Sequence, residues 1–132
     1  MTDFESSDNS APISMSPACF EARELKLVRN PVLQSELREG SVYFCLSYVD
    51  ADLLIPIMET VVYIGRISDR DGAPKLYFQD IDSYREGIRR DTPADENYAT
   101  FSSRSENMLE DIFEYEQAIE ELMRCSLRRR GI

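Results

Sequence analysis

Three Asp-x-Asp pairs, Asp50/Asp52, Asp69/Asp71 and Asp80/Asp82, are the residues of this chain whose type and spacing best suit chemistry. Carboxylates two residues apart offer hard oxygen ligands of the kind Mg²⁺ and Ca²⁺ accept. The same residues also suit turns and helix starts, where aspartate bonds to nearby backbone. No dedicated calcium loop is present. In Asp69-Arg70-Asp71-Gly72-Ala73-Pro74 a proline stands where an EF-hand needs its glycine. If the strands that precede these pairs form a meander, Asp50, Asp52, Asp80 and Asp82 crowd one end of the sheet. Those four are the candidate ligands for Mg²⁺ or Ca²⁺, and no other cofactor is implied.

The remaining composition narrows the chemistry further. The chain has no histidine, which removes His-based acid–base catalysis, Ser-His and Cys-His nucleophiles, and His-ligated metals. Its five glycines form neither GxGxxG nor GxxxxGK[ST], so nucleotide binding through such loops is excluded. Cys19, Cys45 and Cys125 are an odd count without CxxC spacing and read as reduced thiols. Cys45 falls mid-strand and reads as inert. Cys125 lies among arginines that favour its thiolate, but no base or oxyanion donors can be assigned beside it. The balance leans away from an enzyme.

With 25 acidic against 15 basic residues the net charge is −10, which opposes unassisted binding to nucleic acid or an anionic membrane. It suits a basic partner, or simply solubility. There is no apolar stretch of membrane-spanning length and no secretory leader pattern after Met1, so a cytoplasmic location is expected.

The elements that must position these groups follow from periodicity. Residues 1–17 are rich in Ser, Asp and Pro and read as a flexible arm; 18–132 read as one α+β domain. Glu21–Val28 leans to strand. Asn30-Pro31 and Gly40 bracket a short helix, Pro31–Arg38, with Val32, Leu33 and Leu37 inward. Ser41–Val49 alternates as a strand, with Val42, Phe44, Leu46 and Tyr48 on one face and Tyr43 and Cys45 on the other. Met58–Ile67 and Lys75–Gln79 complete a meander, with a bend or edge at Pro56. A helix Ser83–Arg90 follows, capped by Asp80 or Asp82. Tyr98 and Phe101 anchor the next polar stretch. A long last helix starts near Ser103, where Ser103-x-x-Glu106 has the capping-box pattern. The expected fold is a small antiparallel sheet of three to five strands, open or barrel-like, with a short helix and a long C-terminal amphipathic helix packed on it.

Charge along that last helix is polarised. From Asp91 to Glu121 there are ten acids against Arg104 alone, whereas Leu122–Ile132 has four arginines and no acid. Acids early and bases late complement the helix dipole, as do Arg89-Arg90 at the end of the preceding helix. The acids in the middle, Glu114, Glu116, Glu120 and Glu121, exceed what capping needs. They lie beside an apolar stripe that includes Met108, Leu109, Ile112, Phe113, Ile119, Leu122, Met123 and Leu127, able to cover the sheet or pair with a partner helix. These acids, with the sheet tyrosines Tyr43 and Tyr77, are the candidate partner-binding residues. The leading expectation is a non-enzymatic interaction or regulatory module with an acidic surface, its partner another protein or a second copy of itself. A small-ligand or divalent-metal domain built on the sheet-end aspartates is the alternative.

Overall fold

The computed structural model describes residues 16–68, 70 and 72–132; Asp69, Asp71 and most of the expected N-terminal arm lie outside the described residues. The elements are β1 (Val42–Tyr48), β2 (Pro56–Ser68), β3 (Pro74–Asp80), α1 (Ile81–Arg85), β4 (Phe101–Ser105), β5 (Ile112–Phe113) and α2 (Tyr115–Arg129), with a single 3₁₀ turn at Gln34–Glu36. The five strands form one open antiparallel sheet in the order β4-β3-β2-β1-β5, not closed into a barrel. The α+β class and the meander are as the sequence implies.

Strand alternation sorts the core into two clusters, because both sheet faces are covered. Tyr43, Val61, Tyr63, Leu76 and Phe78 lie on one face under Val32, Leu109 and Ile112. Leu46 and Phe113 lie on the other face with Ala118 of α2, flanked by Phe44, Tyr48 and Leu122. β2 is long enough to serve two neighbours in stagger. Its first half pairs with β1 (Tyr48↔Pro56 to Val42↔Val62) and its second half with β3 (Val61↔Asp80 to Ser68↔Pro74). Pro56 opens β2, the strand position where a missing N–H costs least. A bulge between Tyr63 and Gly65 is accommodated by Gly65 at φ 132°, a conformation that L side chains resist.

Several boundaries differ from expectation. Glu21–Val28 forms no strand; it runs as irregular chain beside α2, where the Arg124 Nε–H donates to Lys26 O at 2.7 Å. The helix expected over Pro31–Arg38 is reduced to the Gln34–Glu36 turn. Val32 is buried there, but Leu33 is exposed. Eight residues between a proline and a glycine are too few to repay helix nucleation without a continuous apolar face. α1 ends at Arg85 and not Arg90. It starts at Ile81 and not Ser83, and of the two candidate caps it uses Asp80, which accepts from the Ser83 N–H at 3.0 Å and Ser83 Oγ at 2.6 Å.

The largest difference is at Ser103. The expected helix start is instead edge strand β4, paired with β3 from Lys75↔Ser105 to Gln79↔Phe101. Glu106 forms an ion pair with Arg66 of β2 and accepts from Gln34 Nε2 at 2.8 Å, so it is not free to cap. Ile112 and Phe113 are adjacent and both fully buried, one on each sheet face. That is a strand pattern, and it breaks the helical stripe. Tyr98 is exposed, and Phe101 is half-buried in β4.

Asp80 also accepts from the Thr100 N–H at 2.8 Å, joining the start of α1 to the approach of β4. Burial works against its charge, but the hydrogen bonds from Ser83 and Thr100 outweigh it and hold its carboxyl below the usual carboxylate range. A depressed folded pKa stabilises above the unfolded value, near 3.9, and that contribution is lost as pH falls through the folded value. Asp80→Ala is therefore expected to cost about 1 kcal/mol at pH 7 in urea unfolding, with the gap to wild type narrowing below about pH 4. Equal stability of the two proteins at pH 7 would refute this capping role.

Candidate docking surface on helix α2

α2 begins where its own capping chemistry allows. The Gln117 N–H donates to the Glu114 carboxylate at 2.7 Å, and the Glu114 N–H donates to Gln117 Oε1 at 3.3 Å, a reciprocal capping box. It ends in a Schellman motif: the Ile132 N–H reaches Leu127 O and the Gly131 N–H reaches Arg128 O, both at 3.0 Å, with Gly131 at φ 77°.

Between these ends the helix is turned against expectation. Its buried residues are Ala118, Glu121, Arg124 and Cys125. The expected apolar stripe, able to cover the sheet or pair with a partner helix, is divided: Leu122 is half-buried against the core, Ile119 is half-buried and Met123 is 38% exposed. Beside it Tyr115, which the stripe did not include, is 65% exposed. Small Ala118 and Cys125, seven residues apart, let the helix approach the sheet closely, and the positions between them are filled by charge.

That charge is satisfied internally. Tyr48 Oη–H donates to Glu121 Oε2 at 2.7 Å, and Arg124 Nη1–H donates to Glu121 Oε1 at 2.9 Å. Arg128 Nη2 lies 3.7 Å from Glu121 Oε2 and donates to Tyr48 Oη at 2.7 Å, while its Nε–H donates to Leu53 O at 2.9 Å. Burial raises the Tyr48 phenol well above its ordinary pKa, and the bond to Glu121 adds to this. The site therefore holds Tyr48 as a donor.

The outward stripe borders a groove lined by Phe44, Met58, Tyr115, Ala118, Ile119 and Leu122. Phe44 and Tyr115 meet edge to face with ring centroids 5.5 Å apart. Across Ile119 lies a second depression, formed with the apolar Phe20, Ala22 and Met123 and with Glu21 and Arg23. Phe20 is 91% exposed and Met58 49%. Together these residues form a largely apolar strip that the other described residues leave uncovered.

The acids singled out in the sequence are mostly engaged. Glu114 caps the helix. Glu116 and Glu120 each accept from Arg23 at 3.1 Å, and Glu120 also lies 3.9 Å from Arg124, four residues on. Glu121 is buried. The two tyrosines are not brought together. Tyr43 is buried on one face, its hydroxyl accepting from the Arg38 N–H at 2.9 Å. Tyr77 points to the opposite face, under the Arg90 guanidinium. Arg89 bonds to Tyr84 O at 2.9 Å, at the end of α1.

The aspartates are dispersed by the stagger on β2. Asp80 is level with Val61, as is Tyr43 near the start of β1, whereas β1 ends level with Pro56. Five residues of strand separate these levels, about 17 Å at about 3.3 Å per residue. Asp50 caps its own loop, accepting from the Leu54 N–H at 3.0 Å and the Ile55 N–H at 2.9 Å. Asp52 and Asp82 are exposed. Among the described residues no group of three or more potential ligands is gathered to hold a metal ion. No helix among them is long and apolar enough to cross a membrane.

One other polar cluster resembles a reactive centre. The Cys45 thiol donates to Asp111 Oδ2 at 3.3 Å, and Arg104 binds Asp111 through Nε at 3.0 Å and Nη2 at 2.8 Å. Burial, then the Asp111 charge, pushes the thiol up to about 11, outweighing Arg104. Cys45 is thus protonated at neutral pH, and Arg104–Asp111 is a fastening between β4 and the turn before β5. Comparison with known protein families, with curated proteins and with solved structures yields no match.

Two outcomes follow from this geometry. Glu121→Ala leaves Arg124 buried without its main partner and is expected to cost about 3–5 kcal/mol, whereas Glu121→Leu/Arg124→Leu costs less than that single change. Urea unfolding of both decides it, and additive losses would contradict coupling. With a disulfide thiol reagent at pH 7.5, exposed Cys19 reacts at once and Cys45 and Cys125 react only on unfolding. Modification of Cys45 in the native protein faster than a free thiol in solution would overturn its assignment as inert.

Proposed function

We propose that the chain is a non-enzymatic protein-interaction module that docks a partner on the outward flank of α2 and the adjoining sheet face. One observation carries this reading: α2 buries Glu121 and Arg124 while leaving Tyr115, Ile119, Leu122 and Met123 wholly or partly outside. Single exposed apolar residues are ordinary, but two depressions that share Ile119 and take in Phe20, Met58 and the helix support an interaction surface. Aromatic and methionine side chains are the types enriched at such contacts. The acids contribute less than their number suggests, because Arg23, Arg124 and Tyr48 hold three of them. The partner surface is therefore mainly apolar, with charge as a rim.

Peptides selected by display against the whole chain test this. Tyr115→Glu/Met123→Glu places acids at exposed positions, the first of them in the opening turn of α2 where the dipole favours it, so the fold is retained. Selected peptides are expected to bind this variant at least about tenfold more weakly than wild type, with melting temperature little changed. Equal affinity for both proteins would sink the assignment of this surface.

A further inference from the structure

We infer that the occupant of this surface is a second copy of the same chain, packed with its α2 antiparallel to the first; the inference rests on the docking role proposed for α2. Tyr115, Ile119, Leu122 and Ser126 follow i, i+4, i+7 and i+11 spacing along the exposed flank, the run that helix-on-helix packing uses. Ser126 is small and exposed, so a second helix can approach closely near Leu122. A two-fold axis there makes the contact isologous, and the assembly closes at two copies.

Charge selects the partner and the direction. A copy carrying −10 repels another unless the contact supplies opposite signs locally. The exposed ends of α2 supply them: Glu116 in the first turn, which is shared with Arg23 at 3.1 Å but keeps most of its side chain in solvent, Arg129 in the last turn and Arg130 as its cap. Parallel pairing sets like charges together at both ends. Antiparallel pairing sets each acidic start against the other copy's arginines, which favours this orientation and opposes the alternative.

Size adds a requirement. α2 has fifteen residues, about 22 Å of helix, too little alone for the roughly 1,200 Å² of a stable interface. Phe20 on one side and Met58 on the other widen the strip, so they belong to the contact as well.

Sedimentation equilibrium of the full chain from about 1 to 500 µM tests the proposal. Wild type is expected to reach twice the 15.2 kDa chain mass, and Tyr115→Glu/Met123→Glu to remain at the single mass. Glu116→Lys alone and Arg129→Glu/Arg130→Glu alone each weaken dimerisation about tenfold, since every change occurs twice across the two-fold. All three substitutions in one chain restore it, an outcome that antiparallel pairing produces and parallel pairing does not. A wild type that stays monomeric overturns the second copy, and peptide binding that still depends on Tyr115 and Met123 would then leave the docking surface to another protein. A dimer that survives Tyr115→Glu/Met123→Glu, or single charge variants that dimerise like wild type, overturns the arrangement.

Discussion

The buried contact of Glu121 with Tyr48, Arg124 and Arg128 is the constraint on which the rest of the structure hangs. It fixes the rotation of α2 about its own axis, because Glu121 has to face β1 to reach the Tyr48 hydroxyl. Its two arginines then reach outward from the same point. Arg124 holds the extended N-terminal segment through Lys26 O, and Arg128 holds the β1–β2 loop through Leu53 O. Leu53 is the one described non-glycine residue with positive φ, at 60°. A left-handed leucine costs about 1–2 kcal/mol, and the Arg128 bond to its carbonyl, with the Asp50 cap on the next two residues, offsets that cost. An ion pair so deeply buried does not stabilise a fold by its Coulomb term alone, since desolvation opposes it. Its effect here is positional: three separate segments are held by one helix face.

The sheet supplies a platform with two working faces. The stagger of β1 and β3 on β2 lets a five-strand sheet use both: one face closes under the turns around Val32 and Leu109, the other under α2, with α1 tied to β3 through Gln79 and Ser83 at 2.9 Å. The edges are handled by local means. β5 is only two residues long, and β4 carries Arg104, whose side chain folds inward onto Asp111 and Cys45. Short edge strands and inward charges both discourage pairing with another chain's strand. Self-association through the sheet edge is thereby disfavoured, and association through the helix face is not.

Local patterns were the legible part of the sequence. Strict alternation in Val42–Tyr48 and the return at Leu76 and Phe78 identify the meander and the faces of its residues, because period two is a backbone property. The cap of α1 was legible as one of two aspartates, Asp80 or Asp82, and the structure uses Asp80. Three-to-four spacing misled at Met108–Phe113, where a turn and a short strand meet the same intervals while burying Ile112 and Phe113 on opposite faces. The stagger on β2 depends on pairing register, and no local signal reports it, so the aspartates expected at one sheet end are dispersed. The buried Glu121 cluster left a trace that apolar counting overlooks: Ala118 and Cys125, small residues one heptad apart, mark the close-packed side of α2, and Glu121, Arg124 and Arg128 share that side with them.

The orientation of α2 is a choice between two burials. With Ile119 and Met123 inward, the helix would cover more apolar area and leave Glu121 and Arg124 in water, where their solvation is cheapest. The structure takes the other arrangement. Apolar burial is non-directional and tolerates several helix rotations, whereas the bonds from Tyr48, Arg124 and Arg128 to one carboxylate tolerate one. The polar contact thus specifies a single orientation at the expense of area, and the area left over is the strip along Tyr115, Ile119 and Met123. In a monomer that strip is an uncompensated loss. It becomes a gain when another apolar surface covers it, which is the physical basis of the docking role proposed for α2.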